Sequence, residues 1–202
     1  VRHGPPEALR STQNAQPAIL CASVAYLRAM QEALGAEAPR PAYVAGHSLG
    51  EYTALVAAGA IAFRDGLPLV RFRAQAMQEA VPIGEGAMAA ILGLEDDAVR
   101  AACGEAAQGQ RVEPVNFNAP SQVVIAGHKS AVERAVAAAK AKGAKRAVML
   151  PVSAPFHSSL LKPAANRLAS YLDSIQLSAP RVPVVNNVDV VMEKEPQRIK
   201  QA

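Results

Sequence analysis

The stretch "VAGHSLGEY", Val44 to Tyr52, constrains this chain more than any other. An apolar run too short for a helix breaks on glycine, and a helix-like pattern follows at once. Gly46-His47-Ser48-Leu49-Gly50 fits G-x-S-x-G in the strand-to-helix context that gives this motif its meaning. Flanking glycines let the backbone turn tightly and let the helix pack close, so the Ser48 hydroxyl stands exposed at the strand end. The N-terminus of the next helix aims backbone N–H groups at the same place, and that of Leu49 is placed to stabilise an oxyanion. The expected fold is α/β, and the expected chemistry is acyl transfer through a serine ester.

The periodicity around this turn supports that fold. "QPAILCASVAYLRAMQEAL", Gln16 to Leu34, has apolar residues at helical spacing, with Asn14 as N-cap and Pro17 in the first turn. A buried strand is expected at Tyr43–Ala45, with helices over Glu51–Ala58 and from about Leu67 to Ala80. After "VPIGEG" the texture changes to strand, helix, two strands about an Ala-Pro-Ser turn, helix, strand. That β-α-β-β-α-β order matches a ferredoxin-like lobe. The expected organisation is therefore an α/β-hydrolase-like core from residues 1–82 and 152–202, incomplete, with a ferredoxin-like subdomain over 83–151 inserted into it. "SSLLKPAANRLASYLDSI" returns to helical spacing, and a strand at Val182–Val185 is placed to rejoin the main sheet. The chain opens on Val and stops at "QRIKQA" with no closing helix or strand pattern, so it reads as a piece of a longer protein.

Composition removes several function classes. No apolar run approaches the roughly 18 residues of a membrane span, and the start has no signal-peptide layout, so a cytoplasmic address is expected. Cys21 and Cys103 lie far apart in Ala-rich helical patterns, so both read as small core residues, with no metal site or disulfide framework. A net charge of +4 suits an acidic partner or substrate, but few aromatics accompany it and nucleic acid is a poor fit.

A serine needs a base. Of the four histidines, His3 and His128 read as surface residues, and His47 is too close to Ser48 in sequence to face it across a sharp turn. That leaves His157 in "PVSAPFHSSLL", a loop whose prolines can fix the ring, with a capping or solvated role equally open. Asp189 is the nearest carboxylate candidate, but it follows the histidine, the reverse of the ordinary hydrolase order.

Taken together, "GHSLGEYTALVAAG", "NFNAPSQVVIAG", "PVSAPFHSSLLKPAA" and "VPVVNNVDV" resemble the malonyl-CoA:acyl carrier protein transacylases of bacterial fatty acid synthesis. The resemblance implies a Ser-His pair without an acid, Ser48 the nucleophile and His157 the general base. It matches Arg73, over Arg64 and Arg71, to the arginine that grips the malonyl carboxylate. It puts Gln16 near the cleft, Asn116 and Asn118 at its rim, and Met77 along the pocket, although capping, strand-end and core roles suit these residues as well. Phe156, before the histidine, fits a preference for malonyl over methylmalonyl. The family's Gly-Gln loop and its histidine-orienting segment would lie before Val1 and after Ala202.

The implied reaction needs no cofactor beyond the coenzyme A thioester and the phosphopantetheine of the carrier. The implied partners are malonyl-CoA and an acidic acyl carrier protein, with neither nucleic acid nor membrane, for a chain acting as a monomer. Other readings are an acyltransferase domain of a polyketide synthase, a serine thioesterase or hydrolase, and a scaffold in which Ser48 and His157 coincide by chance.

Overall fold

The structure, a computed structural model, describes residues 4–152 and 154–201. In chain order its elements are α1 (Pro6–Arg10), α2 (Thr12–Leu34), β1 (Val44–Ala45), α3 (Leu49–Ala58), α4 (Phe63–Glu79), β2 (Gly86–Leu92), α5 (Asp96–Ala107) and β3 (Val112–Ala119). There follow β4 (Gln122–His128), α6 (Lys129–Ala141), β5 (Arg146–Met149), α7 (Lys162–Asp173), β6 (Val184–Val185), β7 (Met192–Glu193) and α8 (Pro196–Gln201). The fold is α/β, in two compact units: Val1–Gln75 with Arg167–Ala202, and Ala76–Asn166.

In the first unit, β1 and β6 pair in parallel, Val44 with Val184 and Ala45 with Val185, and β7 adds antiparallel to β6. The late strand thus rejoins the strand that leads into the serine turn. Leu55, Ala58, Ile61, Leu69 and Val184 form one buried cluster, and Leu20, Val24, Leu49 and Val70 another.

Two helices begin earlier than proline suggests. α2 starts at Thr12 after Ser11, so Asn14 is no N-cap; it sits in the first turn, its Nδ2 donating to the Ala8 carbonyl at 2.9 Å. α4 starts at Phe63 rather than near Leu67. Pro17 and Pro68 therefore both lie inside their helices. Each removes an intrahelical hydrogen bond, but burial of Leu20, Leu69, Val70 and Ala74 outweighs that loss. The final "QRIKQA" also departs from its unpatterned reading, because Pro196–Gln201 is α8 and Ile199 is buried in the first cluster. One short turn offers no period to read.

In the second unit, the sheet order is β3-β4-β2-β5 with every pairing antiparallel. With α5 after β2 and α6 after β4, this is the ferredoxin-like arrangement. Alternation along β2 and β4 sends Ala87, Ala89, Ile91, Val123 and Ile125 into the cluster shared with α5 and α6. Met88, Val124 and Ala126 form a second cluster, with Phe156 packed against it. The Ala-rich segment Lys129–Ala141 forms α6, whose Ala131, Ala135 and Ala139 are buried. Pro114 sits in β3, an edge strand where a missing N–H is tolerated, and the register shifts just after it.

Among the described residues no helix is long and apolar enough to cross a membrane, and no group of His, Cys, Asp or Glu could hold a metal ion.

Candidate active site

β1 ends at Ala45 and α3 starts at Leu49, so the reversal occupies Gly46, His47 and Ser48. Ser48 has φ 53° and ψ −109°. A non-glycine residue held there costs about 1–3 kcal/mol, so the surroundings must impose it. Part of the imposition is steric: a Cβ on Gly46 would lie 2.0 Å from the backbone carbon and oxygen of Gly50. Gly46 is glycine because the helix crosses directly over it. Gly50 differs from its sequence reading, since a Cβ there would meet nothing within 4 Å. The strain sits on the serine itself, and Gly50 keeps open space beside it.

Asn187, a residue that sequence reasoning passed over, supplies a polar part. Its Oδ1 accepts the Ser48 N–H at 2.6 Å, its Nδ2 donates to the Gly46 carbonyl at 2.7 Å, and its own N–H donates to Glu51 Oε2 at 3.1 Å. The available signal was its place in "VPVVNNVDV". Loss of water raises the Glu51 pKa, against the opposing effects of the Asn187 N–H and the Arg73 charge.

Arg73 is buried on α4, with Nη2 donating to Ser48 Oγ at 3.0 Å and Nη1 to Gln16 Oε1 at 2.7 Å. Gln16 is itself buried on α2, and its Nε2 donates to Thr12 Oγ1 at 2.9 Å. The guanidinium also lies 5.3 Å from the Tyr52 ring centroid. Burial raises the pKa of that phenol, and the arginine charge opposes it. Arg71 and Arg64 are exposed, the latter beside Asp65 at 3.8 Å. Of these three arginines only Arg73 faces the serine. This guanidinium is fixed, charged and shaped to receive a carboxylate through two parallel bonds.

In the second unit, His157 is exposed, with φ 65°. Its loop is tied down on both sides. Pro155 lies against Gly86 so closely that a Cβ there would be 2.3 Å from the proline Cδ. Buried Ser158 donates from Oγ to the Pro155 carbonyl at 2.8 Å. Ser159 gives its N–H and Oγ to the two oxygens of Glu113, at 2.8 and 2.6 Å.

Known proteins share this fold. The profile of the acyl transferase domain family matches residues 1–200. This chain belongs to that family. The malonyl CoA-acyl carrier protein transacylase of Escherichia coli K12 is 59% identical over 201 residues, 100% of this chain and 64% of that protein. The chain thus spans under two thirds of the length of such relatives. The crystal structure of the acyl-carrier-protein S-malonyltransferase from Burkholderia pseudomallei 1710b matches with TM-score 0.93 and 63% identity, over 98% of this chain and 63% of that one. A malonyl-transacylase in complex with a type II PKS acyl-carrier protein matches with TM-score 0.95 and 55% identity, over 99% of this chain and 64% of that one.

The remaining sequence candidates fall at scattered places in this acyl transferase domain. Leu49 is the first residue of α3, so its N–H precedes the intrahelical ladder. Met77 is buried on α4, one turn beyond Arg73. Asn116 is half-buried and Asn118 exposed, both on edge strand β3. Phe156 is half-buried against the Met88 cluster, which gives it a packing role. His47 is exposed. His128 is more than the surface residue expected: its Nδ1 accepts the Arg111 N–H at 2.9 Å, and its own N–H donates to the Arg111 carbonyl at 2.8 Å. His3 lies outside the described residues. Asp189 is exposed and gives its N–H to Asn186 Oδ1 at 2.7 Å. Cys103 is buried as expected, whereas Cys21 is only half-buried.

Proposed function

We propose that this chain carries the nucleophile and carboxylate-binding arginine of a transferase that moves malonyl from coenzyme A to the phosphopantetheine thiol of an acyl carrier protein. The observation that carries this reading is the buried Arg73 guanidinium, 3.0 Å from Ser48 Oγ. It puts a carboxylate-binding cation beside a serine held at the start of a helix. The malonyl-transferring relatives named above support the same substrate.

In the proposed reaction, Ser48 Oγ attacks the malonyl thioester carbon as His157 accepts its proton, and the Leu49 N–H stabilises the oxyanion. The tetrahedral intermediate expels coenzyme A as the thiol, the proton returning from His157, and malonyl remains esterified to Ser48. The carrier thiol then reverses these steps. Arg73 holds the free carboxylate throughout, and Gln16 fixes one end of the guanidinium. Asn116, Asn118 and Met77 are proposed to line the acyl site, and Phe156 to limit branching beside the thioester. The reading needs no cofactor beyond its thioester substrates. It takes the chain as a cytoplasmic monomer, with a core of residues 1–82 and 152–202 and an inserted lobe over 83–151. A net charge of +4 suits an acidic carrier. Because one similar transacylase is in complex with a type II PKS carrier, a carrier of that kind is the second reading, and transfer to either carrier separates the two.

Mass spectrometry after incubation with malonyl-CoA tests the core claim: a malonyl adduct is expected, and none after Ser48→Ala. Arg73→Ala is expected to lose about 3–5 kcal/mol of malonyl transfer, the range for stranding a buried charge, while acetyl transfer is kept or rises. Arg73→Lys recovers only part of the loss. Equal losses for malonyl and acetyl would make Arg73 structural. Discrimination against methylmalonyl-CoA should be partial, about 1–3 kcal/mol. Equal specificity constants would reduce Phe156 to packing.

A further inference from the structure

We infer that Asn187 is the positioning residue of the serine turn, its side-chain amide bracing the strained Ser48 backbone in the geometry needed for acylation. The inference rests on the reading of Ser48 as nucleophile.

The register explains how it reaches. β6 lies parallel to β1 with Val185 beside Ala45, and two residues further on, Asn187 stands level with His47. From there one planar amide spans the turn, donating to the Gly46 carbonyl and accepting the Ser48 N–H, at 2.7 and 2.6 Å. It does what a neighbouring strand would do, at the point where β1 has ended and the chain bends away. A third bond, from the Asn187 N–H to Glu51 Oε2 at 3.1 Å, ties the same residue to the first turn of α3. Asn187 thus holds the chain before, at and after the nucleophile.

The neighbouring turn is built to present it. Asn186 is buried, and its Oδ1 accepts the N–H groups of Val188, Asp189 and Val190 at 3.0, 2.7 and 3.2 Å. The side chain at 187 must donate to one side and accept from the other, which an amide does and a carboxylate cannot. By taking up the Ser48 N–H, Asn187 also directs the oxyanion towards Leu49.

Single-turnover acylation by malonyl-CoA, measured on the full chain, tests this. Asn187→Ala is expected to slow acylation about 100-fold, the scale of a misplaced reacting group, with little change in malonyl-CoA KM because Arg73 is untouched. Asn187→Asp is slowed too, but a protonated carboxyl again has one donor and one acceptor. Its rate relative to the unsubstituted protein is therefore expected to climb as pH falls towards the ordinary aspartate range, about 4. The charged groups there are Glu51, bonded to the Asn187 N–H, and Arg73, whose charge acts on Glu51. Acylation within threefold of the unsubstituted rate in both variants, a loss confined to KM, or an Asn187→Asp ratio flat with pH would overturn the inference. Should Asn187→Ala fail to fold, the pH ratio of Asn187→Asp decides. Ser48→Ala keeps the two readings apart. An adduct that survives it refutes the nucleophile, whereas a Ser48-dependent adduct formed at full rate by the Asn187 variants refutes only the brace.

Discussion

Ser48 and His157 are both non-glycine residues in left-handed backbone, each within its own unit, yet they are held by different means. At Ser48 the constraint is main chain on main chain. Gly46 lies beneath Gly50 with no space for a methyl group, and a side-chain amide from the turn after β6 bonds the Gly46 carbonyl and the strained residue's own N–H. At His157 the constraint acts through flanking residues: a proline ring seated on Gly86, and a serine pair bonded to Pro155 and Glu113. The nucleophile proposed at Ser48, which must meet a carbonyl carbon, gains from the stiffer mounting. The base proposed at His157, which accepts a proton and returns it, tolerates the looser one.

Substitutions at the glycines test that contrast. Gly46→Ala should have the largest effect: backbone must move against backbone, and a loss of about 3 kcal/mol is expected together with loss of the malonyl adduct. A Tm shift of only a degree or two would show that the turn is not tight. Gly86→Ala presses instead on a proline ring in a loop, and about 1–3 kcal/mol is expected, with acylation reduced more than stability. Unimpaired acylation there would mean that Pro155 does not seat the histidine.

Glu51→Gln should give a smaller effect with a definite sign. Desolvation raises the Glu51 pKa in the folded chain, so the folded state binds its proton more tightly than the unfolded state. That contribution is present in acid, below the unfolded value, and is lost as pH rises through the raised folded one. Glu51→Gln is therefore expected to raise Tm at neutral pH, with a gap that closes on acidification. A gap that widens in acid would contradict the desolvation account. The smallest effect belongs to Gly50→Ala, which meets open space in a helix and should gain at most about 1 kcal/mol in thermal unfolding. A marked destabilisation would restore the view that both glycines serve packing.

Ser48 was legible because its signal is local: a motif of five residues between a strand and a helix. The ferredoxin-like lobe was legible from period and order alone. Arg73 was harder, because Arg64, Arg71 and Arg73 share one helix, and only the packing of α4 decides which guanidinium is buried beside Gln16. Asn187 and His128 were illegible for a different reason. Their partners are backbone groups 139 and 17 residues away, and no pattern along the chain announces a side chain bonded to distant main chain. Starts of α2 and α4 were misplaced by Pro17 and Pro68, whose local preference yields to burial.

The buried Cys103 bears on selectivity of a different kind. Desolvation, with the nearby Glu113 charge, pushes its pKa up to about 11, so at neutral pH this sulfur is a thiol and not a thiolate. Thioesters exchange readily with thiolates, and a protein proposed to pass an acyl group between sulfur carriers risks capturing it on its own cysteine. At this position the risk is removed by the same apolar surroundings that pack α5 against its sheet. The nucleophile proposed at Ser48 is an oxygen, while Cys103 fills the core.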